Sequence, residues 1–327
     1  MSVLVTGGAG YIGSHTVRAL RAAGQEVVVL DSMEFGHRAA VLGAELVEGN
    51  IRDRSLVTDL CRSHEVTQVV HFAAYKAVGE SMEQPGRYWL NNVAGSVDLA
   101  EAALAAGVSQ FVFSSSCSVN GTPAVVPVAE DAPIAPESVY AETKAMVERI
   151  LGWYGTTHGL RAVSLRYFNA AGASSDGVIG EDWTRSQNLV PLVMKATLGK
   201  SPPVSVFGTD YPTADGTCIR DYIHIEDLAD AHLRALGYLT GGGATVALNV
   251  GTGVGSSVFD IIHATERISG HPVPYELAAR RAGDPVITYA DPTKVHATLG
   301  WSATHTLDDI IASAWQWHSN HPDGFPD

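Results

Sequence analysis

Short, nearly continuous apolar runs alternate along this chain with stretches whose apolar residues recur every three to four positions. Val3-Leu4-Val5 is the first run. It stops at Gly7-Gly8-Ala9-Gly10, after which Ile12, His15, Thr16, Ala19 and Leu20 follow helical spacing up to Gly24. Val27-Val28-Val29-Leu30-Asp31 predicts a second strand, and further strands are expected at 44–48, 68–72, 110–114 and 161–166, with helical stretches between them. Strands with no polar alternation are buried on both faces. The pattern therefore predicts an α/β fold, a Rossmann-type doubly wound parallel sheet with helices on either side.

From about residue 168 to 220 the alternation gives way to segments rich in Gly, Ser, Pro and Asp, expected to be loops, and it resumes at 227–239 and 244–250. The expected division is a first domain over 1–170, with elements from about 222–250 returning to it, and a smaller C-terminal domain, mainly for substrate, over 171–327. A last helix is expected at 307–318, with Trp315 and Trp317 near its end.

Gly7, Gly10 and Gly13 lie between a strand and a helix, where the first allows a tight turn, the second a close approach of a pyrophosphate, and the third close packing of helix on strand. Asp31 closes the next strand about twenty residues later, where a carboxylate holds a ribose diol. That carboxylate repels a 2′-phosphate, and Ser32-Met33-Glu34 adds no cation, so NAD is expected over NADP, with Arg38 the one residue nearby that argues otherwise. Domain one is thus read as an NAD-binding domain.

Tyr140 and Lys144 are four residues apart at the start of a predicted helix, one turn apart on one face. A nearby ammonium, together with a positive nicotinamide, favours a phenolate that can take a proton from a sugar hydroxyl. Phe111-Val112-Phe113-Ser114-Ser115-Ser116 is a strand ending in hydroxyls, one of which can hydrogen-bond the reacting oxygen.

Composition narrows the partners. With 21 Lys+Arg against 35 Asp+Glu in 327 residues, the formal net charge is −14, which argues against a nucleic-acid partner and a peripheral membrane role. A content of 46% hydrophobic and 17% charged residues describes a well-buried globular protein. Three widely spaced cysteines, Cys61, Cys117 and Cys218, fit neither a disulfide framework nor a CxxC site, and no apolar run approaches the ~18 residues of a membrane span, so a cytoplasmic location is expected. The histidines, His71 and His224 included, show no HxxxH or HExxH spacing and are read as structural; no metal is expected. Cys117 has no paired histidine and is given no nucleophilic role.

Many motifs in one order make the chain resemble the extended short-chain dehydrogenase/reductase superfamily and, within it, the UDP-glucose (UDP-galactose) 4-epimerase family. They are VTGGAGYIGSHT at 5–16, HFAAYKAVGES at 71–81, NNV at 91–93, FSSS at 113–116, LRYFNAAGA at 165–173, VFGTDYPTADGT at 206–217, RDYIHIEDLADAH at 220–232, NVGTG at 249–253 and RRAGDP at 280–285. The resemblance covers essentially the whole length. It implies reversible C4 epimerisation of UDP-glucose and UDP-galactose through transient hydride transfer to tightly held NAD, in a homodimer. Tyr140 looks like the base, Lys144 like its electrostatic partner and ribose ligand, and Ser116 like the assisting hydroxyl. NAD would meet Tyr11, Ile12, Asp31, Asn50, Ile51, Phe72, Ala73, Lys76, Asn91 and Tyr167 beside the glycines. The UDP-sugar would meet Asn169, Asn188, Leu189, Phe207, Arg220, Arg281 and Asp284.

Three positions depart from the family pattern: Asn120 replaces an aromatic, Val139 a proline, and Asn50 an aspartate that meets adenine. The family's gatekeeper falls at Thr288, and a small residue there implies that UDP-GlcNAc and UDP-GalNAc are also taken. Related 4,6-dehydratases and decarboxylases carry an acid directly after the serine or threonine, where this chain has Cys117-Ser118. An epimerase of a UDP-pentose or of UDP-glucuronate shares the machinery; for the latter, Arg185 is the nearest unassigned cation. A non-catalytic NAD-binding sensor is the alternative of another class.

Overall fold

The computed structural model describes residues 2–184, 186–281 and 283–325. Its strands in chain order are β1 (Ser2–Thr6), β2 (Glu26–Asp31), β3 (Glu45–Glu48), β4 (Val66–His71), β5 (Gln110–Ser114), β6 (Arg161–Tyr167), β7 (Asn169–Ala171), β8 (Val204–Phe207) and β9 (Ile219–His224). They are followed by β10 (Val246–Val250), β11 (Gly255–Ser257), β12 (Tyr275–Ala278) and β13 (Ile287–Thr288). Seven of them form an all-parallel sheet in the order β10-β6-β5-β4-β1-β2-β3. Every strand expected for this sheet is present, with ends within two residues of the expectation.

Period-two alternation divides the core between two faces. Val3, Val5, Val29, Val70 and Val112 pack on one side with Val17 and Leu20 of the Tyr11–Ala22 helix and with Leu228, Ala231 and Leu239 of the Ile225–Thr240 helix. Leu4, Val28, Leu30, Val69 and Phe111 pack on the other with Val57 and Leu60, Leu99 and Ala103, and Val147 and Leu151, from the helices Arg54–Ser63, Gly95–Ala105 and Val139–His158. The order of strands reverses between β1 and β4, so a crevice opens beyond their carboxyl ends, where ligands of open α/β sheets bind.

A third apolar cluster gathers Val190, Val193, Met194, Val206, Ile261, Ile262, Ile310 and Ile311. It lies among the helices Leu189–Thr197, Val258–Ser269 and Leu307–Asn320, with β9 at the centre of a small mixed sheet beside β7, β11 and β13. Part of the region expected to be loop is thus helical. Pro191 stands in the first turn of Leu189–Thr197, where its missing N–H is one of the donors a helix leaves unpaired anyway. Among the described residues, no helix is long and apolar enough to cross a membrane.

Candidate active site

The glycine turn joins β1 to the Tyr11–Ala22 helix. Gly7 has φ +74°, and a Cβ there would lie 2.6 Å from the Ala73 nitrogen; at Gly13 a Cβ would lie 2.2 Å from the Gly7 carbonyl oxygen. Only glycine fits either position. A Cβ on Gly10 would meet nothing nearer than 3.4 Å, so its absence leaves room on the cleft side. Gly10 caps the helix with no side-chain hydrogen bond, and the first N–H groups of the helix stay available to an anion.

Asp31 ends β2 with its carboxylate fixed by the Ala9 N–H on Oδ2 at 3.0 Å and the Met33 N–H on Oδ1 at 2.9 Å. Burial raises its pKa and these hydrogen bonds oppose the rise. Arg38 pairs with Glu48 at 3.5 Å and does not line the cleft, whereas Glu34 does. The surroundings of Asp31 therefore suit a ribose diol and repel a 2′-phosphate. Asn50 accepts the Arg52 N–H on Oδ1 at 3.0 Å, which leaves its amide hydrogens to face the cleft.

A cleft of about 640 Å³ runs from this turn across the end of the sheet. Gly7, Gly10, Tyr11, Ile12, Gly13, Asp31, Asn50, Ile51, Phe72, Ala73, Lys76, Asn91, Lys144 and Tyr167, all expected from the sequence to meet the cofactor, line it together with Tyr140. The cradle, the open helix start and the anchored carboxylate fit NAD on this chain's own geometry.

Two orphan N–H donors at the start of the Val139–His158 helix are satisfied by hydroxyls: Ser138 accepts from Ala141 at 3.2 Å and Ser81 from Tyr140 at 3.1 Å. Lys144, one turn on, donates to the Ser114 carbonyl at 2.7 Å, with its Nζ 4.9 Å from the Phe113 ring centre and 5.8 Å from that of Tyr140. Burial lowers the Lys144 pKa to about 7, opposed by the charge of Glu148. Burial likewise drives the Tyr140 phenol well above its ordinary value, Tyr167 adding to the rise and a hydrogen bond with Ser116 opposing it. The phenol is thus protonated in the free cleft, and the expected phenolate calls for the positive nicotinamide as well as Lys144.

The three serines point to different partners. Ser114 hydrogen-bonds the Tyr167 hydroxyl at 3.0 Å, Ser115 bonds Glu148 at 2.5 Å, and Ser116 faces Tyr140 while accepting from the Ser118 amide at 3.2 Å and the Ser118 hydroxyl at 2.9 Å. Asn120 is buried and donates to the Ala132 and Pro133 carbonyls at 3.1 and 3.0 Å, so the aromatic position is used to hold a loop. Burial first and Asp221 second push the Cys117 thiol up to about 12, leaving it an inert neighbour.

None of the residues expected to meet the UDP-sugar lines this cleft, and five of them, Phe207, Arg220, Arg281, Asp284 and Thr288, come together beside one another. Asp284 accepts from Nε and Nη2 of Arg281, both at 3.0 Å, Arg220 lies 3.9 Å from the same carboxylate, and the Arg281 guanidinium stands 5.4 Å from the Phe207 ring centre. Thr288 pairs with Arg220 in register, and its buried hydroxyl has no hydrogen-bond partner among the described residues. Asn169 pairs with Tyr222 on β9, and Asn188, which precedes Leu189 at the start of its helix, donates to Glu181 at 3.1 Å. Arg220 and Asp221 are near enough to Cys117 to act on it electrostatically, and Cys117 directly follows Ser116, which faces Tyr140. Arg185 lies outside the described residues.

The model of the NAD dependent epimerase/dehydratase family matches residues 3–251. The chain belongs to this family. It is 44% identical over 329 residues to a UDP-glucose 4-epimerase of Lactobacillus helveticus, with 100% of both chains covered, and 46% identical over 323 residues to one of Rhizobium meliloti, covering 99% of this chain and 98% of that one. A family structure from Stenotrophomonas maltophila, a UDP-glucose-4-epimerase with bound NAD and formylated UDP-arabinopyranose, superposes with a TM-score of 0.96 at 41% identity, covering 98% and 99%.

Within this family member, sequence reasoning missed the far wall of the cleft. Glu181, Asp182, Ser186 and Phe325 line it from the second cluster, and Lys76 reaches across to Glu181 at 3.7 Å while His37 pairs with Asp182 at 2.9 Å and stacks on Phe325. No spacing announces these contacts. His224, Glu226 and His305 also come together, their nearest ligand atoms within 4.8 Å. Both His224 nitrogens are engaged, Nδ1 accepting the Glu226 N–H and Nε2 bonding Ser313, and the two rings stack nearly parallel, an arrangement that does not aim two lone pairs at one ion.

Gly13→Ala should weaken NAD binding at least ~tenfold and cost about 1–3 kcal/mol of stability through overpacking. Gly152→Ala, in open helix surface, should leave binding unchanged and gain about 0.4–1 kcal/mol. Calorimetric titration with NAD and urea melts of both variants check this; equal behaviour would remove the steric role given to Gly13.

Proposed function

We propose that the chain interconverts UDP-glucose and UDP-galactose at C4, with NAD held in the cleft throughout the cycle. The observation that carries this is the meeting, in one cleft, of the glycine cradle with Tyr140 and Lys144. When bound, NAD supplies the acceptor and then the donor of a hydride. Tyr140 takes the proton of the sugar's 4-hydroxyl as the C4 hydrogen leaves with its electron pair, and it returns that proton to the 4-keto sugar at the end. Ser116 hydrogen-bonds the same oxygen. Lys144 holds positive charge beside the phenol and a ribose hydroxyl in place. Arg220 and Arg281 take the diphosphate, Asp284 the uridine ribose and Phe207 the base, so that UDP is anchored while the hexose can present either face. Net redox is zero, which requires that the cofactor stay bound between the two hydride steps.

The small side chain at Thr288 supports acceptance of 2-acetamido sugars as well. A UDP-pentose is the second reading, favoured by the UDP-arabinopyranose derivative bound to the relative from Stenotrophomonas maltophila. Three free cysteines accord with a reducing cytoplasm. A homodimer is the assembly we assign: Trp153 on the Val139–His158 helix is 69% exposed and Leu90, just before the neighbouring helix, 55%, apolar surface of the kind a second copy covers. Sedimentation should give twice the 34.5 kDa chain mass, falling to the single mass in Trp153→Glu.

Purified protein incubated in turn with UDP-glucose, UDP-GlcNAc and UDP-xylose, the products being resolved by chromatography, tests the activity. UDP-galactose should form, with UDP-GalNAc also appearing. Tyr140→Phe should retain NAD and lose about 10²–10⁴-fold in kcat, the span of general acid–base catalysis. Bound NAD with no turnover of any UDP-sugar would leave the sensor as the reading.

A further inference from the structure

We propose that Glu148 and Arg166 form a buried charged support that positions Lys144, making Glu148 a positioning residue for proton transfer at Tyr140. The inference rests on the role given to Lys144 above. Glu148 follows Lys144 by one helical turn on the same face. Lys144 is held by the Ser114 carbonyl at 2.7 Å, and the hydroxyl of the next residue, Ser115, donates to Glu148 Oε1 at 2.5 Å. Arg166, from β6, clasps both carboxylate oxygens: Nε reaches Oε1 at 3.0 Å and Oε2 at 3.1 Å, and Nη2 reaches Oε2 at 2.6 Å. Its Nη1 donates to the Glu130 carbonyl at 3.3 Å, and the Glu130 carboxylate accepts the Asn249 N–H of β10 at 2.7 Å. One connected set of polar and charged groups therefore pins the end of β5, whose carbonyl holds Lys144, to the helix that carries Lys144 and to β6 and β10.

Stability alone does not call for this pair. The two side chains are only 7% and 11% exposed, and well-packed apolar residues commonly replace buried ion pairs without loss. What apolar residues cannot supply is a negative charge beside the ammonium. From β4, His71 faces Lys144, and burial together with the Lys144 charge keeps its imidazole neutral, its pKa lowered to about 3. From β6, Tyr167 stays protonated, with its pKa pushed up to about 12, and Tyr140 on the same helix is a neutral phenol. Glu148 is the anion that opposes the effect of burial on Lys144. Removing it leaves Arg166 uncompensated and makes the loss of the Lys144 proton easier, so the fraction charged at a given alkaline pH falls.

The test compares NAD-loaded wild type with Glu148→Gln, Ser115→Ala and the double variant Glu148→Leu/Arg166→Met, which replaces the pair by apolar bulk and keeps the question open to measurement if Glu148→Gln folds poorly. kcat and KM for the UDP-sugar are followed from pH 6 to 10 beside the melting temperature. In Glu148→Gln and in the double variant the alkaline limb of kcat should move about one unit or more toward acid, a ~tenfold loss at a fixed pH on that limb, with KM little changed. Ser115→Ala should lower kcat a few-fold and leave the limb where it is. A double variant that melts like wild type and keeps the wild-type kcat and pH profile would overturn the proposal and leave the pair a structural clasp. Should wild type turn over no UDP-sugar, the epimerase reading fails by itself, and the midpoint of Lys144 from NMR of ¹³C-labelled lysines decides this inference: an acidward shift in the same two variants supports it, and an unchanged midpoint overturns it.

Discussion

The active site depends on one costly placement, a lysine ammonium buried at the end of a parallel strand. Lys144 is 4% exposed and donates a hydrogen bond to a backbone carbonyl, that of Ser114 at 2.7 Å. Taking a charge out of water is expensive unless polar groups replace the solvent, and the depressed pKa of about 7 reflects that cost. The carbonyl, the faces of the Phe113 and Tyr140 rings and the Glu148 carboxylate are the replacements. Each follows from the register of β5 against the Val139–His158 helix. Once that register is set, Tyr140 stands one turn earlier and Ser116 opposite its hydroxyl.

The same economy of charge governs the phosphate sites. A chain with a formal net charge of −14 binds two diphosphate ligands on the function proposed for it, and its surface supplies no general attraction for them. On that proposal the first would be met by uncapped helix N–H groups after Gly10, which carry no formal charge. On the same proposal the second would be met by Arg220 and Arg281, both of which pair with Asp284 in the free protein.

Much of this was legible in the sequence because it depends on local spacing. The strands read as apolar runs, Gly7 and Gly13 as backbone approaches, Asp31 as the acid at the end of β2, and Tyr140 with Lys144 as one helical face. What stayed hidden is either non-local or decided by competition between energies. Three consecutive serines look alike in sequence, yet strand geometry sends them to Tyr167, Glu148 and Tyr140 in turn. The rise in the Tyr140 pKa could not be read from its spacing to Lys144, because it comes first from burial, which spacing does not report. The far wall of the cleft comes from contacts such as His37 with Asp182, whose separation of 145 residues leaves no periodic trace. The Leu189–Thr197 helix was masked by Pro191, a residue that breaks helices everywhere except in the first turn.

The central claim is that the C4 hydrogen leaves and returns with its electron pair inside the cleft, while Tyr140 handles only the hydroxyl proton. UDP-glucose deuterated at C4, converted in ordinary water and examined by mass spectrometry as UDP-galactose, addresses it directly. The label should be retained in full. Loss of deuterium to solvent would mean that C4 is epimerised by exchange of a proton, and the roles given to the glycine cradle, Tyr140 and Lys144 would be wrong together.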